Sequence, residues 1–266
     1  ITADRLKIAA SGAVSLSEAN MVNTLAASMA FGTGGLTYWN GKALTIGTVG
    51  GTNGIAYSDN VNPIVVKTTA GSLTVAQPVT ADVLGGAQIT LSAAAALAVD
   101  APVTSTFNAT PAGPVILEAG SGGVTGNASG VITAGGLKVI SGGAITLNGA
   151  AHAIDILAGS SSGSFQFADA NGFTVGTVAG TNGLTASSGD IFLTAGGSNS
   201  LLTVGLPVQA SAGSVTYVAD NQDHAAATTS SGVAGKFIEV KPNTAATQIE
   251  FDAAADCVEN VFGIVD

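Results

Sequence analysis

Charge is scarce in this chain. Lys and Arg number 7 and Asp and Glu 17 in 266 residues, 9% in all, against about 25% in an average soluble domain. Aromatic residues make up only 5%, although 46% of the residues are hydrophobic, so the apolar content is mostly Ala, Val, Leu and Ile. Seven scattered cations under a net charge of −10 argue against a nucleic-acid partner, whose phosphates need clustered Lys and Arg. They argue equally against anionic membrane surfaces. One cysteine, Cys257, excludes an intrachain disulfide framework. The longest apolar run, 91–99, is interrupted by Ser92 and is too short for a membrane helix, which needs about 20 residues. The low charge also comes with too much hydrophobicity for intrinsic disorder. The chain opens at Ile1 without Met, which we read as a processed protein or an excised segment.

What is present is glycine, 37 residues, about twice the average usage, and a succession of short β-type runs. Leu44-Thr-Ile46, Leu73-Thr-Val75, Ile89-Thr-Leu91, Ile145-Thr-Leu147, Phe173-Thr-Val175 and Leu202-Thr-Val204 each alternate apolar and polar residues, the period-2 signature of a strand with one buried face. Gly, Ser, Asn and Ala clusters separate them. The class is therefore all-β. In the strands quoted, the apolar residues are expected to point inward and Thr45, Thr74, Thr174 and Thr203 outward.

The chain also repeats. Thr45-Ile-Gly-Thr-Val-Gly-Gly-Thr-Asn-Gly-Ile55 matches Thr174-Val-Gly-Thr-Val-Ala-Gly-Thr-Asn-Gly-Leu184 at 8 of 11 positions, 129 residues apart. The same offset carries Leu73-Thr-Val-Ala-Gln-Pro-Val79 onto Leu202-Thr-Val-Gly-Leu-Pro-Val208, and Leu97-Ala-Val-Asp-Ala-Pro-Val103 is a third copy. Repetition of strand-plus-corner units marks a solenoid. A parallel β-helix with coils of roughly 20 to 30 residues suits this composition: inward side chains stack in ladders at about 4.8 Å, which favours small aliphatics, and Gly supplies the φ > 0 corners. Residues 1–219 form the expected rod.

Residues 220–266 differ, with eight acids and three of the nine Phe. Phe237-Ile-Glu-Val240 and Thr247-Gln-Ile-Glu-Phe251, joined across Pro242-Asn243, read as a β-hairpin in an atypical β cap or assembly element. Its large apolar residues, Phe237, Ile238, Val240, Ile249, Phe251, Val258, Val261, Phe262, Ile264 and Val265, are the candidate assembly surface for end-to-end self-association, with 1–16 as the receiving edge.

The opening Ile1-Thr-Ala-Asp-Arg-Leu6, with Ala10-Ser-Gly-Ala-Val-Ser-Leu16 and Asn23-Thr-Leu-Ala-Ala27, resembles the repeats of filamentous haemagglutinin-type exoproteins. So does Phe173-Thr-Val-Gly-Thr-Val178 followed by Gly189-Asp-Ile-Phe-Leu-Thr-Ala-Gly-Gly197. These are adhesins that Gram-negative bacteria export by two-partner secretion. The resemblance covers roughly 1–219. It implies a right-handed parallel β-helix, export to the cell surface, few cysteines and no catalytic residues. The family's N-terminal secretion domain is not visible in this sequence.

No catalytic, cofactor or metal site is expected from the residues themselves. His152 and His224 form no spaced ligand pair and Cys257 has no C-x-x-C partner, whereas zinc needs three or four converging ligands. Both histidines are expected to be exposed. Asp220-Asn-Gln-Asp223 offers oxygen ligands for calcium but reads as a solvated turn. The rod acids are solitary, whereas glycoside hydrolysis needs a carboxylate pair. Tyr38-Trp39 reads as a packing pair, with sugar stacking the functional alternative. The expected function is a secreted, non-enzymatic structural or adhesive rod at a bacterial surface, with host or biofilm glycan as a partner; a polysaccharide-binding or polysaccharide-degrading β-helix is the alternative.

Overall fold

The computed structural model describes residues 1–29, 34–58, 62–82, 86–226, 228–229, 238–241, 248–251 and 261–264. Among these there is no helix, hence none long enough to cross a membrane. The protein is a parallel β-helix. Apart from three short antiparallel pairs, the described strands pair in parallel with strands one coil before or after them. Successive partners lie between 17 residues apart, at His152↔Asp169, and 29, at Phe173↔Leu202, so most coils fall in the expected range and a few are shorter.

Stacked inward columns build the core, and three of them run as follows. The first runs Leu36, Ile64, Ile89, Val115, Leu137, Leu157. The second runs Leu44, Leu73, Leu97, Val124, Ile145, Phe165, Ile191, Val215. The third runs Ile55, Val79, Val103, Ile132. Nearly all of these side chains are fully buried, each contributing about 1.5–3 kcal/mol of transfer free energy. The expected phase holds: Leu44, Ile46, Leu73, Val75, Phe173, Val175, Leu202 and Val204 are buried, and Thr45, Thr74, Thr174 and Thr203 lie on the outer side.

The 129-residue repeat is a module of three strands, and its second copy is turned by one face. Phe165–Asp169 is the counterpart of Leu36–Asn40, yet it stacks in the column of Leu44 and Ile145 rather than that of Leu36. The offset therefore spans five coils of that column plus one face.

The repeated 11-residue motif is a hairpin inserted into a coil. Thr48–Val49 pairs antiparallel with Thr52–Asn53, and Thr177–Val178 with Thr181–Asn182. The tips, Gly50-Gly51 and Ala179-Gly180, have φ of 55° and 77°, and 46° and 77°, as a type I′ turn requires. At each base a Gly–Gly bond closes the insertion, Gly54 N to Gly47 O and Gly183 N to Gly176 O, both 2.9 Å. The strand of the preceding coil runs straight past each insertion, Val14–Met29 in one case and Ile145–Ser161 in the other, pairing with both halves of the interrupted strand.

The C-terminal segment corrects one expectation. Ile238–Lys241 pairs in parallel with Val215–Val218, Gln248–Phe251 with Asn221–His224, and Val261–Ile264 with Ile238–Lys241. The two candidate strands therefore do not form an antiparallel hairpin. The last full coil leaves a row of unpaired backbone groups that templates parallel addition, so these strands continue the ladder across position 220.

Candidate functional site

Of the candidate assembly residues, Ile238, Val240, Ile249, Phe251, Val261, Phe262 and Ile264 lie on those terminal strands. Phe237, Val258 and Val265 lie outside the described residues. At the opposite end Thr2–Ala10 pairs, among the described residues, with Val14–Met29 alone. Leu6, Ala10, Val14 and Leu16 are only partly buried against the core there.

The polar groups that sequence reasoning missed occupy the inward phase at a corner. In Leu36-Thr-Tyr-Trp-Asn40 the alternation puts Leu36, Tyr38 and Asn40 inside, and in Phe165-Gln-Phe-Ala-Asp169 it puts Asp169 inside. A polar residue on the apolar phase was the available signal. Asn40 is fully buried. Its Oδ1 accepts from Val22 N at 3.0 Å and from the Tyr38 hydroxyl at 3.2 Å, and its Nδ2 donates to Val22 O at 2.9 Å and Lys42 O at 3.0 Å. Asn20, one coil below, donates to Leu16 O, Glu18 O and Trp39 O. These amides satisfy backbone groups where the strand bends away from its ladder. Burial pushes the Tyr38 hydroxyl up to about 12.

In the second copy the same corner carries His152 and Asp169. Asp169 accepts from Ile154 N at 3.0 Å and Asn171 N at 2.8 Å. Burial pushes its carboxyl up to about 6, opposed by those two backbone donors and reinforced by the charge of Asp155. His152 accepts from Ile132 N at Nδ1, 3.0 Å, and stacks on Phe167 at 5.3 Å. Burial lowers its pKa to about 4.

Both histidines are buried, against the expectation of exposed positions. His152 follows a strand into the core at the corner. His224 stacks above Val204 in a core column, 4.8 Å edge-on from Tyr217, with Nε2 3.1 Å from Gln222 Oε1, and burial likewise lowers it to about 4. Nor is 220–223 a turn. Asn221–His224 is a strand, and Asp220 is buried with Oδ2 accepting from Asn199 N at 3.0 Å. Among the described residues no three His, Cys, Asp or Glu converge as metal ligands do. Tyr38 and Trp39 part company: Tyr38 is fully buried, while Trp39 lies on the outer face with the Lys67 ammonium 5.5 Å from its ring, a cation–π contact worth about 0.5–1 kcal/mol at an exposed site.

The flank of the second copy carries a cleft of about 460 Å³. The corner after Ala195 overhangs the corner after Asp169, and Asp155, Asn171, Thr174, Ser198, Asn199 and Thr203 line the space between. The overhang comes from a length difference. Six residues separate Ala195 from Leu202, against four between their counterparts Thr68 and Leu73. Gly197 and Asn199, at φ 81° and 62°, make the extra bend. The Ser200 hydroxyl donating to Ala195 O at 2.9 Å and the Asp220 bond to Asn199 N hold it. Compared with known proteins, the chain matches no family model, no curated protein and no solved structure.

Proposed function

We infer that the chain is a non-enzymatic rod segment of a secreted, surface-displayed bacterial protein of the filamentous haemagglutinin type, with a structural and adhesive role. The observation that supports this reading is the single parallel ladder running from Thr2–Ala10 to Val261–Ile264 over a core of stacked aliphatics. Such a scaffold holds its length through nearest-neighbour coil contacts and presents backbone donors and acceptors only at its two ends. Rods of this kind join end to end when the terminal strands of one copy extend the ladder of the next, a heterologous contact that propagates without closing. The rod is rich in Thr, Ser, Asn and Ala, and its acids are solitary in the sequence.

Negative-stain microscopy of the purified chain tests the reading. Thin rods that lengthen with concentration are expected, and a form lacking residues 247–266 should give folded rods that stay single. A full-length chain that remains monomeric at high concentration overturns the end joining. Turnover of pectin, alginate or a glycosaminoglycan that one Asp→Ala change in the rod abolishes overturns the non-enzymatic role.

A further inference from the structure

We propose that the cleft beneath the 196–201 corner binds a short stretch of an uncharged oligosaccharide. The two copies of the module provide an internal comparison. They share the hairpin and the following xTVxxPV coil at the same 129-residue offset, but between these the second copy is two residues shorter before Ile191 and two residues longer at this corner. The longer corner stays bonded to the preceding coil through Gly196 N to Asp169 O, 2.8 Å, and its remaining residues line the cleft. The corner is held rather than loose: Asp220 of the following coil accepts from Asn199 N, the Ser200 hydroxyl donates to Ala195 O within the corner, and Gly172 of the preceding coil packs so closely against Leu201 that a Cβ there would lie 2.3 Å from the Leu201 carbonyl oxygen. A site ordered before binding avoids the entropy of closing on its ligand, and its volume falls within the range of small-molecule sites.

The lining chemistry selects the ligand. Asn171 and Asn199 offer amide donors and acceptors, Thr174, Ser198 and Thr203 hydroxyls that do both, and Asp155 a carboxylate acceptor. Groups of this kind match sugar hydroxyls, which donate and accept at once. Among the described residues no Lys, Arg or His lines the cleft, so phosphate, sulfate and uronate groups would meet Asp155 without a counter-charge. Phe173, the aromatic residue of the lining, is 3% exposed and turned into the core, leaving no slot for a nucleobase or an aromatic side chain. Leu201, 47% exposed, is an apolar patch at the rim suited to the C–H face of a pyranose. The cleft is open, so affinity is expected near the millimolar range, about that of a few hydrogen bonds and one apolar contact. Repetition along an assembled rod would convert such weak sites into avidity for a polymer. The site itself does not depend on end joining.

Amide-resolved NMR titration of the full chain tests this with cellohexaose, mannohexaose and xylohexaose as neutral probes and hexagalacturonate as the anionic one. At least one neutral probe should shift the amides of 171–174 and 197–203, and hexagalacturonate should bind about tenfold more weakly or worse. Thr203→Arg, which places a long side chain in the cleft, and Asn171→Ala should each weaken binding by about tenfold or more. Thr74→Arg, the matched outward position of the first copy, should leave it unchanged. Unaltered shifts elsewhere show that each variant is folded. The proposal is overturned if no neutral hexasaccharide shifts the cleft amides at millimolar concentration, if binding survives Thr203→Arg, or if hexagalacturonate binds as tightly as the neutral probes.

Discussion

Asn40 and Asp169 occupy the same corner of two copies of one module, 129 residues apart, and differ in what they can bond. The Asn40 amide both accepts from Val22 N and donates to Val22 O. The Asp169 carboxylate accepts from Ile154 N, two residues after His152 as Val22 is two after Asn20, and when ionised it has no proton to return.

Asp169→Asn should therefore stabilise the protein at neutral pH. The carboxyl pKa of Asp169 is raised from 3.8 to about 6, so the folded state holds its proton more tightly than the unfolded one. The stability linked to it is fully present below about pH 4 and is lost as pH rises through 6. The shift corresponds to on the order of 2–3 kcal/mol. Urea unfolding should show the variant more stable by about 1–3 kcal/mol at pH 7.5, with the difference vanishing at pH 4. A less stable variant at pH 7.5 would contradict the electrostatic account.

The histidines act in the opposite sense. Both His152 and His224 are lowered from 6.5 to about 4, so the unfolded chain binds their protons more readily. Stability is present above about pH 6.5 and lost as pH falls towards 4. Two groups outweigh Asp169, and the melting temperature should fall over that interval. His152→Asn, which places at this corner the amide that Asn20 carries in the first copy, should remove roughly half of the histidine-linked loss. An unchanged pH profile would show that His152 does not titrate between the two states.

The two hairpins predict which glycines are interchangeable. The second copy already carries Ala179, at φ 46°, where the first has Gly50 at φ 55°, so Gly50→Ala should cost no more than about 1–2 kcal/mol. Gly54 differs. A Cβ there would lie 1.9 Å from the carbonyl oxygen of Pro78, and at Gly183 one would lie 2.1 Å from that of Pro207. Backbone has to shift to admit it, and that carbonyl accepts the Ile55 N–H at 2.8 Å. Gly54→Ala should destabilise by more than about 3 kcal/mol, read as a drop in melting temperature well beyond that of Gly50→Ala.

Val175 stacks between Leu157 and Val204 and is fully buried. Val175→Asp places a charge directly between two buried aliphatic side chains, a change expected to destabilise by about 4 kcal/mol or more. Thr174→Asp, one residue away on the outer side, should stay within about 1 kcal/mol. Equal effects of the two in chemical denaturation would contradict the assigned phase.

The all-β class, the solenoid and the inward phase of each strand were legible in the sequence, because alternation is local: Leu44-Thr-Ile46 carries its own two faces. The buried corners were legible in principle, since Asn40 and Asp169 sit on the apolar phase, but a polar residue at a strand end also reads as a turn. His152 and His224 show the same ambiguity. Nothing in their neighbours announces burial, which depends on the coils above and below.

By itself the sequence determined the strand, its buried face, the small aliphatic core and the repeated strand-plus-corner motif with Gly at its corners; that the motif is an inserted hairpin was decided by the tertiary structure. Tertiary structure alone decided which column each strand joins. Corner lengths add up along the chain, so the second copy arrives one face round from the first. Two extra residues after Ala195 open a cleft where the first copy has a shorter corner. Ile238–Lys241 and Gln248–Phe251 extend the ladder in parallel instead of pairing with each other. Register between coils is a non-local backbone pairing, set by the edge each strand meets, and no local pattern of side chains encodes that edge.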